Sequence, residues 1–238
     1  MRVFWLGRVP YDDALDLQRA VADARRDRLC GDTLLLLEHP PTITLGRAAK
    51  AEHILAAPDR LRDAGIAVRS VGRGGDVTYH GPGQLVGYPI IDLAERGRDL
   101  HGYLRSIEQA LIDALRALGV EARRFPPHTG VWIGEAKVAA IGVRVSRWVT
   151  THGFALNVAL DLAAFDLIVP CGIHEYSVTS LERETGARWS VETVLPAIAR
   201  EFGEAFGGCE AGSSGAGNLL PGAVELRTTI EAAARCQA

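Results

Sequence analysis

The segment from Gly72 to Pro89, GRGGDVTYHGPGQLVGYP, restricts the fold of this chain more than any other stretch. Glycines at 72, 74, 75, 81, 83 and 87 and prolines at 82 and 89 interrupt the β-branched and aromatic alternation of strands. Glycine opens backbone conformations closed to other residues and lets the main chain approach a ligand closely, at a cost in folding free energy. Arg73, His80 and Gln84 supply strong polar side chains within the segment. Two readings follow, a pair of plain hairpin turns or a main-chain wall shaped around a ligand, and the glycine content favours the second.

The flanking sequence supplies regular elements of both kinds. Arg2–Gly7, Thr33–Glu38, Thr42–Leu45, Ile66–Val71 and Gln84–Leu93 read as strands, the second a run of four leucines halted by Pro40 and Pro41. Tyr11–Leu29 and a short Pro58–Ala64 segment read as helices. The clearest helix is Asp99–Leu118, where Leu100, Tyr103, Leu104, Ile107, Leu111, Leu115 and Leu118 recur at helical spacing and Gly119 marks the stop. Gly130–Ile133, Lys137–Trp148 and Gly153–Leu160 are expected strands, and a last helix capped by Ser190 runs to about Phe206, with a kink expected at Pro196. Strands mixed with helices, without strict alternation, predict an α+β (mixed α/β) fold. The simplest organisation is one domain over residues 1–206, followed by a glycine- and serine-rich tail over 207–238.

At 238 residues the chain can bury a sizeable core, and its net charge of −3 argues against a chain-wide nucleic-acid footprint. No apolar run approaches the ~20 residues of a membrane span, and the start is too short in its apolar part for a signal peptide, so a cytoplasmic protein is expected. Cys30, Cys171, Cys209 and Cys236 form no CxxC pair, and the histidines form no HExxH motif, so neither a disulfide framework nor a structural metal is expected. Gly72, Gly74 and Gly75 do not complete a dinucleotide-binding GxGxxG.

Two residues stand out chemically. Cys171, between Pro170 and Gly172 after an apolar strand, is either an inert buried thiol or an exposed nucleophile at a strand end. Its candidate bases are His80, His152, His174 and Lys137. Lys137 opens the apolar strand KVAAIGVRV, a position where a charge ordinarily just faces solvent. Yet of the 26 basic residues only Lys50 and Lys137 are lysines. Arginine does not release its proton in proteins, whereas lysine can.

Taken together, RGGDVTYHGPGQLVGYPI, KVAAIGVRVSRWVTTHGFALNV and PCGI followed by VTSL resemble the octanoyltransferases of the lipoyl pathway, over nearly the whole chain up to about residue 206. The RGG and HGPGQ at fixed separation are specific; PCG alone is not. The resemblance implies a mixed sheet flanked by helices, as in biotin protein ligases and lipoate ligases. It implies an acyl-thioester nucleophile at Cys171 with Lys137 as its partner. It implies an acyl-substrate site formed by Arg73, Gly74, Gly75, Asp76, Val77, Thr78, Tyr79 and His80, with Ala140, Ile141, Gly142, Gly153, Phe154 and Ala155 as further wall. The implied donor is octanoyl-acyl carrier protein. The implied acceptors are lipoyl domains of 2-oxoacid dehydrogenase E2 subunits and the glycine cleavage H protein, with no cofactor, no membrane or nucleic-acid partner, and a monomeric enzyme.

A free cysteine of pKa ~8.5 is only a few per cent thiolate at pH 7, and a neighbouring ammonium favours the thiolate. Val77, Tyr79, Leu85, Ile141 and Phe154 are candidates for an apolar slot, and Arg123, Arg124, Arg144 and Arg147 for contacts to an acidic carrier. Rival readings are an ATP-dependent lipoate or biotin ligase on the same fold, an amidotransferase between lipoyl-type proteins, a non-catalytic acyl-binding module and a cysteine hydrolase.

Overall fold

The computed structural model describes residues 1–170 and 176–207 and the backbone of 219–221. In chain order the elements are β1 (Arg2–Arg8), α1 (Tyr11–Arg26), β2 (Thr33–Glu38), β3 (Thr42–Leu45), α2 (Pro58–Asp63), β4 (Ala67–Ser70), β5 (Val77–His80), β6 (Gln84–Ile90) and α3 (Leu100–Ala117). They continue with β7 (Arg123–Phe125), β8 (His128–Ile133), β9 (Ala136–Ser146), β10 (Val149–Asn157), α4 (Leu181–Thr185), α5 (Val191–Phe206) and β11 (Leu219–Pro221).

Among the described residues, eight strands form one mixed sheet in the order β11-β1-β2-β6-β10-β9-β8-β7, and three form a second in the order β4-β3-β5. The leucine run is a central strand of the large sheet, buried on both faces. Leu34 and Leu36 pack with α3 and α5, while Leu35 and Leu37 pack with Ala14, Leu17 and Val21 of α1. Continuous apolarity instead of alternation is what such a strand requires. A third apolar cluster, built on Ile43, Val77, Tyr79, Leu160 and Phe165, underlies the small sheet. No helix among the described residues is long and apolar enough to cross a membrane.

The long helices end where short-range chemistry says they should. Asp99 accepts from the Gly102 amide at 2.9 Å at the start of α3, and Ser190 exchanges hydrogen bonds with Thr193 at the start of α5. Helix α1 stops at Arg26, short of the expected Leu29, because Arg28 turns to a left-handed φ of 59° and the Leu29 amide closes back on the Ala24 carbonyl at 2.8 Å.

One expectation about strands needs correction, and one disfavoured reading falls away. The hairpin read as Lys137–Trp148 and Gly153–Leu160 is tighter: β9 ends at Ser146, which pairs with Val149 at the start of β10. Arg147 and Trp148 form its two-residue turn with φ of 50° and 66°, a geometry that usually announces itself with Asn or Gly. The HGPGQ turn is not a hairpin, since β5 and β6 belong to different sheets. The carbonyl of Gly83 (φ 86°) accepts from the amides of Val158 and Ala159, which anchors this crossing to the end of β10. In the expected tail, Leu219–Pro221 pairs in parallel with Val3–Trp5 of β1.

Candidate active site

The glycine-rich loop connects β4 to β5 and bridges the two sheets. The Gly74 amide donates to the Val143 carbonyl of β9 at 2.8 Å. The amides of Gly46, Arg47 and Ala48, just after β3, donate to the carbonyls of Asp76, Arg73 and Gly75. Side chains would prevent this approach: a Cβ at Gly46 would lie 2.3 Å from the Gly75 oxygen, and one at Gly142 would lie 2.9 Å from the Gly74 oxygen. The loop and β9 thus meet through main chain.

A pocket lies beneath this contact. Its loop side is Arg73 to Thr78 with His80; its sheet side is Ala140, Ile141 and Gly142 of β9 and Gly153, Phe154 and Ala155 of β10. Those are residues the sequence nominated, and two of its nominees, Tyr79 and Leu85, are exceptions. Tyr79 points away, its ring edge-on to Phe165 at 6.0 Å in the small-sheet core, and Leu85 belongs to the large-sheet core. Alternation along β5 and β6 puts them on the opposite face from their pocket-lining neighbours Thr78, His80 and Val86.

Arg73 is buried, 8% exposed, and its guanidinium wraps Thr44, donating from Nη2 to the carbonyl at 2.7 Å and to Oγ1 at 2.9 Å. Asp76 accepts from its neighbour's amide, Val77 N–H, at 2.7 Å and lies 2.6 Å from His53 Nδ1, so it braces the loop.

A second cavity shares Thr78, Ala140 and Ala155 with the first, so the two are contiguous. It contains Lys137, Gln84, Asn157, Trp132, Pro170 and Tyr176. Lys137 is not at a solvated strand entrance: it is 7% exposed, with Nζ 4.9 Å from the centre of the Trp132 ring. A cation over an indole face gains electrostatic stabilisation. Its main chain is clamped by Lys137 N–H to Ser177 O and by Thr179 N–H to Lys137 O, both 2.9 Å. Cys171 and His174 lie outside the described residues.

At the back of the first pocket, with Tyr11 and Tyr88 in its wall, is a group of buried rings the sequence reading passed over. His39 Nε2 and the Tyr88 hydroxyl are 2.7 Å apart, His39 Nδ1 lies 2.7 Å from the Val9 carbonyl, and Tyr11 lies 4.9 Å from His39 and 5.9 Å from His80 between ring centres. Burial pushes His39 down to about 4. Burial, reinforced by Arg73, Arg144 and Arg19, pushes His152 down to about 4. Burial, with the nearby His39 and Arg73, holds His80 well below the usual imidazole value. Around neutral pH these rings are uncharged, so none is a cation for pairing with a thiolate. His39 had one legible signal, an ionisable residue wedged between an apolar strand and Pro40-Pro41; Tyr11, Tyr88 and Trp132 had none beyond their apolarity.

Of the arginines considered for partner contacts, Arg123 stacks on Phe125 and Arg124 donates to the buried Glu108 at 3.0 Å, so both have intramolecular work. Arg144 and Arg147 lie at the outer end of the β9–β10 hairpin. No group of three or more His, Cys, Asp or Glu suited to a metal occurs among the described residues.

The family model for the lipoyl protein ligase A/B catalytic domain matches residues 10–203. An octanoyltransferase of Solibacter usitatus is 54% identical over 201 residues, covering 84% of this chain and 90% of the relative. Another, from Acidobacterium capsulatum, is 48% identical over 246 residues, covering 97% and 99%. In three dimensions, a crystal structure of lipoate-protein ligase A bound with ATP superposes with a TM-score of 0.71 at 20% identity, covering 99% of this chain and 93% of that one. Aquifex aeolicus biotin protein ligase, in complex with biotin and ATP, gives 0.55 at 16% identity, covering 86% and 69%. The single-domain α+β fold of the ligases is therefore the fold of this chain.

Proposed function

Because the chain belongs to the octanoyltransferases of the lipoyl protein ligase A/B catalytic-domain family, it is an acyltransferase, and we propose that it moves an octanoyl group from octanoyl-acyl carrier protein to a lysine of lipoyl domains through an acyl-Cys171 thioester. The acceptors in this reading are the lipoyl domains of 2-oxoacid dehydrogenase E2 subunits and the glycine cleavage H protein, and the reaction takes place in the cytoplasm.

The observation that carries the reading is the burial of Lys137 in a cavity continuous with the pocket under the glycine-rich loop. Pro170 lines that cavity, and Cys171 is the next residue of the chain. The pocket under the loop suits an alkyl chain: glycine main chain and alanines form its seam with β9 and β10, Val77, Val86, Ile141 and Phe154 add apolar surface, and each buried methylene contributes ~0.8 kcal/mol. Lys137 suits a partner for a thiol because its ammonium favours the thiolate.

Two half-reactions follow. The Cys171 thiolate attacks the thioester carbonyl of the donor; the new C–S bond forms, the old C–S bond breaks, and the carrier's thiolate leaves with a proton delivered by Lys137. Thioester exchange is nearly balanced, so no ATP is consumed. The acceptor's neutral amine then attacks acyl-Cys171, an amide forms, the Cys171 sulfur leaves, and the amine's surplus proton returns to Lys137. One thiol serving both steps gives ping-pong kinetics. His80 and His152, neutral and buried, shape the pocket in this scheme, and the proton passes through Lys137.

The test is intact-mass analysis after incubation with octanoyl-carrier in the absence of ATP. Wild type gains one octanoyl group that is lost on adding a lipoyl domain, and Cys171→Ala gains none. An ATP requirement, or turnover by Cys171→Ala, overturns the proposal.

A further inference from the structure

A buried chain of hydrogen bonds joins the loop of the first cavity to the lysine of the second, and its polarity can be read atom by atom. Gln84 Nε2 donates to the Tyr79 carbonyl at 3.1 Å and to Asn157 Oδ1 at 2.9 Å. A carbonyl only accepts, so the Gln84 amide has one orientation, and Oε1 is the atom 2.8 Å from His80 Nδ1. Oε1 also only accepts, so the His80 proton is on Nδ1.

Across the ring, His80 Nε2 lies 3.3 Å from Thr44 Oγ1. That hydroxyl oxygen already accepts from Arg73 Nε at 3.3 Å and Nη2 at 2.9 Å, which fills its two lone pairs. Thr44 therefore donates its proton to Nε2, and the imidazole is neutral by hydrogen-bond count alone. At the far end, Asn157 Nδ2 donates to the Thr179 carbonyl at 2.9 Å, and the Thr179 amide donates to the Lys137 carbonyl at 2.9 Å. Thr44, His80, Gln84, Asn157 and Thr179 are all buried. Among the described residues, the other groups around the His80 ring are Arg73, His39, His152 and Tyr11, none of them anionic.

We propose that Gln84 and Asn157 are positioning residues for acyl transfer: they hold His80 as a neutral imidazole protonated on Nδ1, and they tie the glycine-rich loop to the main chain that brackets Lys137. The second half of this proposal rests on the role given to Lys137 above; the first half does not. Gln84 and Asn157 both line the Lys137 cavity, so the relay sets where the lysine backbone stands relative to the acyl pocket. A shift of about 1 Å at such a point costs on the order of 100-fold in rate without any loss of substrate contacts.

The experiment has two readouts. Nitrogen NMR of histidine-labelled full-length protein reports the His80 tautomer, assigned by its disappearance in His80→Asn. Wild type should show the proton on Nδ1 and no His80 titration between about pH 5.5 and 8. In Gln84→Glu, a carboxylate facing Nδ1 should bring the titration into that window. A wild-type His80 titrating near ~6.5, or protonated on Nε2, overturns the assignment. In steady-state kinetics, Asn157→Asp should lose on the order of 10- to 100-fold in kcat with the KM for octanoyl-carrier within about twofold. Asn157→Ser, which adds no buried charge, should show the same pattern if the aspartate variant folds poorly. Loss confined to KM, or an unchanged kcat in both, overturns the positioning role. If wild type never carries an acyl group on Cys171, the functional reading fails while the NMR result stands.

Discussion

Gly142→Ala is the most direct test of the idea that the pocket is closed by main chain against main chain. The new Cβ would lie 2.9 Å from the Gly74 oxygen and 3.3 Å from Arg73 Cδ. Both contacts are too short, and the nearer atom is backbone, so the loop must retreat by several tenths of an ångström. It is tethered at that point by the 2.8 Å bond from Gly74 N–H to Val143 O, which the retreat stretches. Weakening one hydrogen bond costs about 1 kcal/mol, and overpacking of this kind costs about 1–3 kcal/mol. A urea titration should therefore show a loss of roughly 1–3 kcal/mol at unchanged m-value. The displaced loop is also the pocket wall. If one or two kcal/mol of that strain falls on binding, the KM for octanoyl-carrier rises roughly 5- to 30-fold. Stability within about 0.3 kcal/mol of wild type together with an unchanged KM would refute the reasoning, since the loop would then have room that the geometry denies.

Lowering the pH toward 4 should destabilise the fold through His39 and His152. His39 and His152 are held at about 4 against an unfolded value of 6.5, so between those limits the unfolded chain binds more protons. Stability is complete above about pH 6.5 and falls as pH drops toward 4, by roughly 3 kcal/mol per histidine at the lower limit; denaturant midpoints unchanged between pH 7 and 5 would contradict this. Arg147→Asn, at a φ of 50°, should raise the thermal midpoint by relieving on the order of 1 kcal/mol of left-handed strain, checked by calorimetry. Lys137→Arg should lose on the order of 100-fold or more in transfer while Cys171 still alkylates readily, because arginine keeps the charge but cannot pass a proton; retention of most activity would assign Lys137 a purely electrostatic role.

What could be read beforehand followed the range of the forces involved. The leucine run, the α3 repeat and the cap at Ser190 are local patterns, and they appeared as expected. The loop motif and the β9–β10 segments carried the family resemblance, and the residues it implied for the acyl site, Tyr79 excepted, lie around one pocket. The misses are tertiary in origin. Arg147 and Trp148 turn the chain with residues that seldom do so, because the flanking register leaves no alternative. Tyr79 alternates away from its motif neighbours into another core. Thr44 and Asn157 come from distant strands, and nothing at their own positions discloses that they meet the same histidine relay.

If the pocket under the loop holds the acyl chain as proposed, a wall made of peptide bonds has a consequence for how chain-length preference can change. Adding a side chain at Gly142 or Gly46 puts atoms where none fit, so such changes disrupt the seam before they reshape it. The adjustable surface is the opposite one, where Val86, Tyr88 and Tyr11 present side chains to the same space. On the proposed reading of this pocket, changes at those three are the route by which evolution, or an engineer, could lengthen or shorten the accepted fatty chain, at a cost in packing because Val86 and Tyr88 also belong to a buried core cluster.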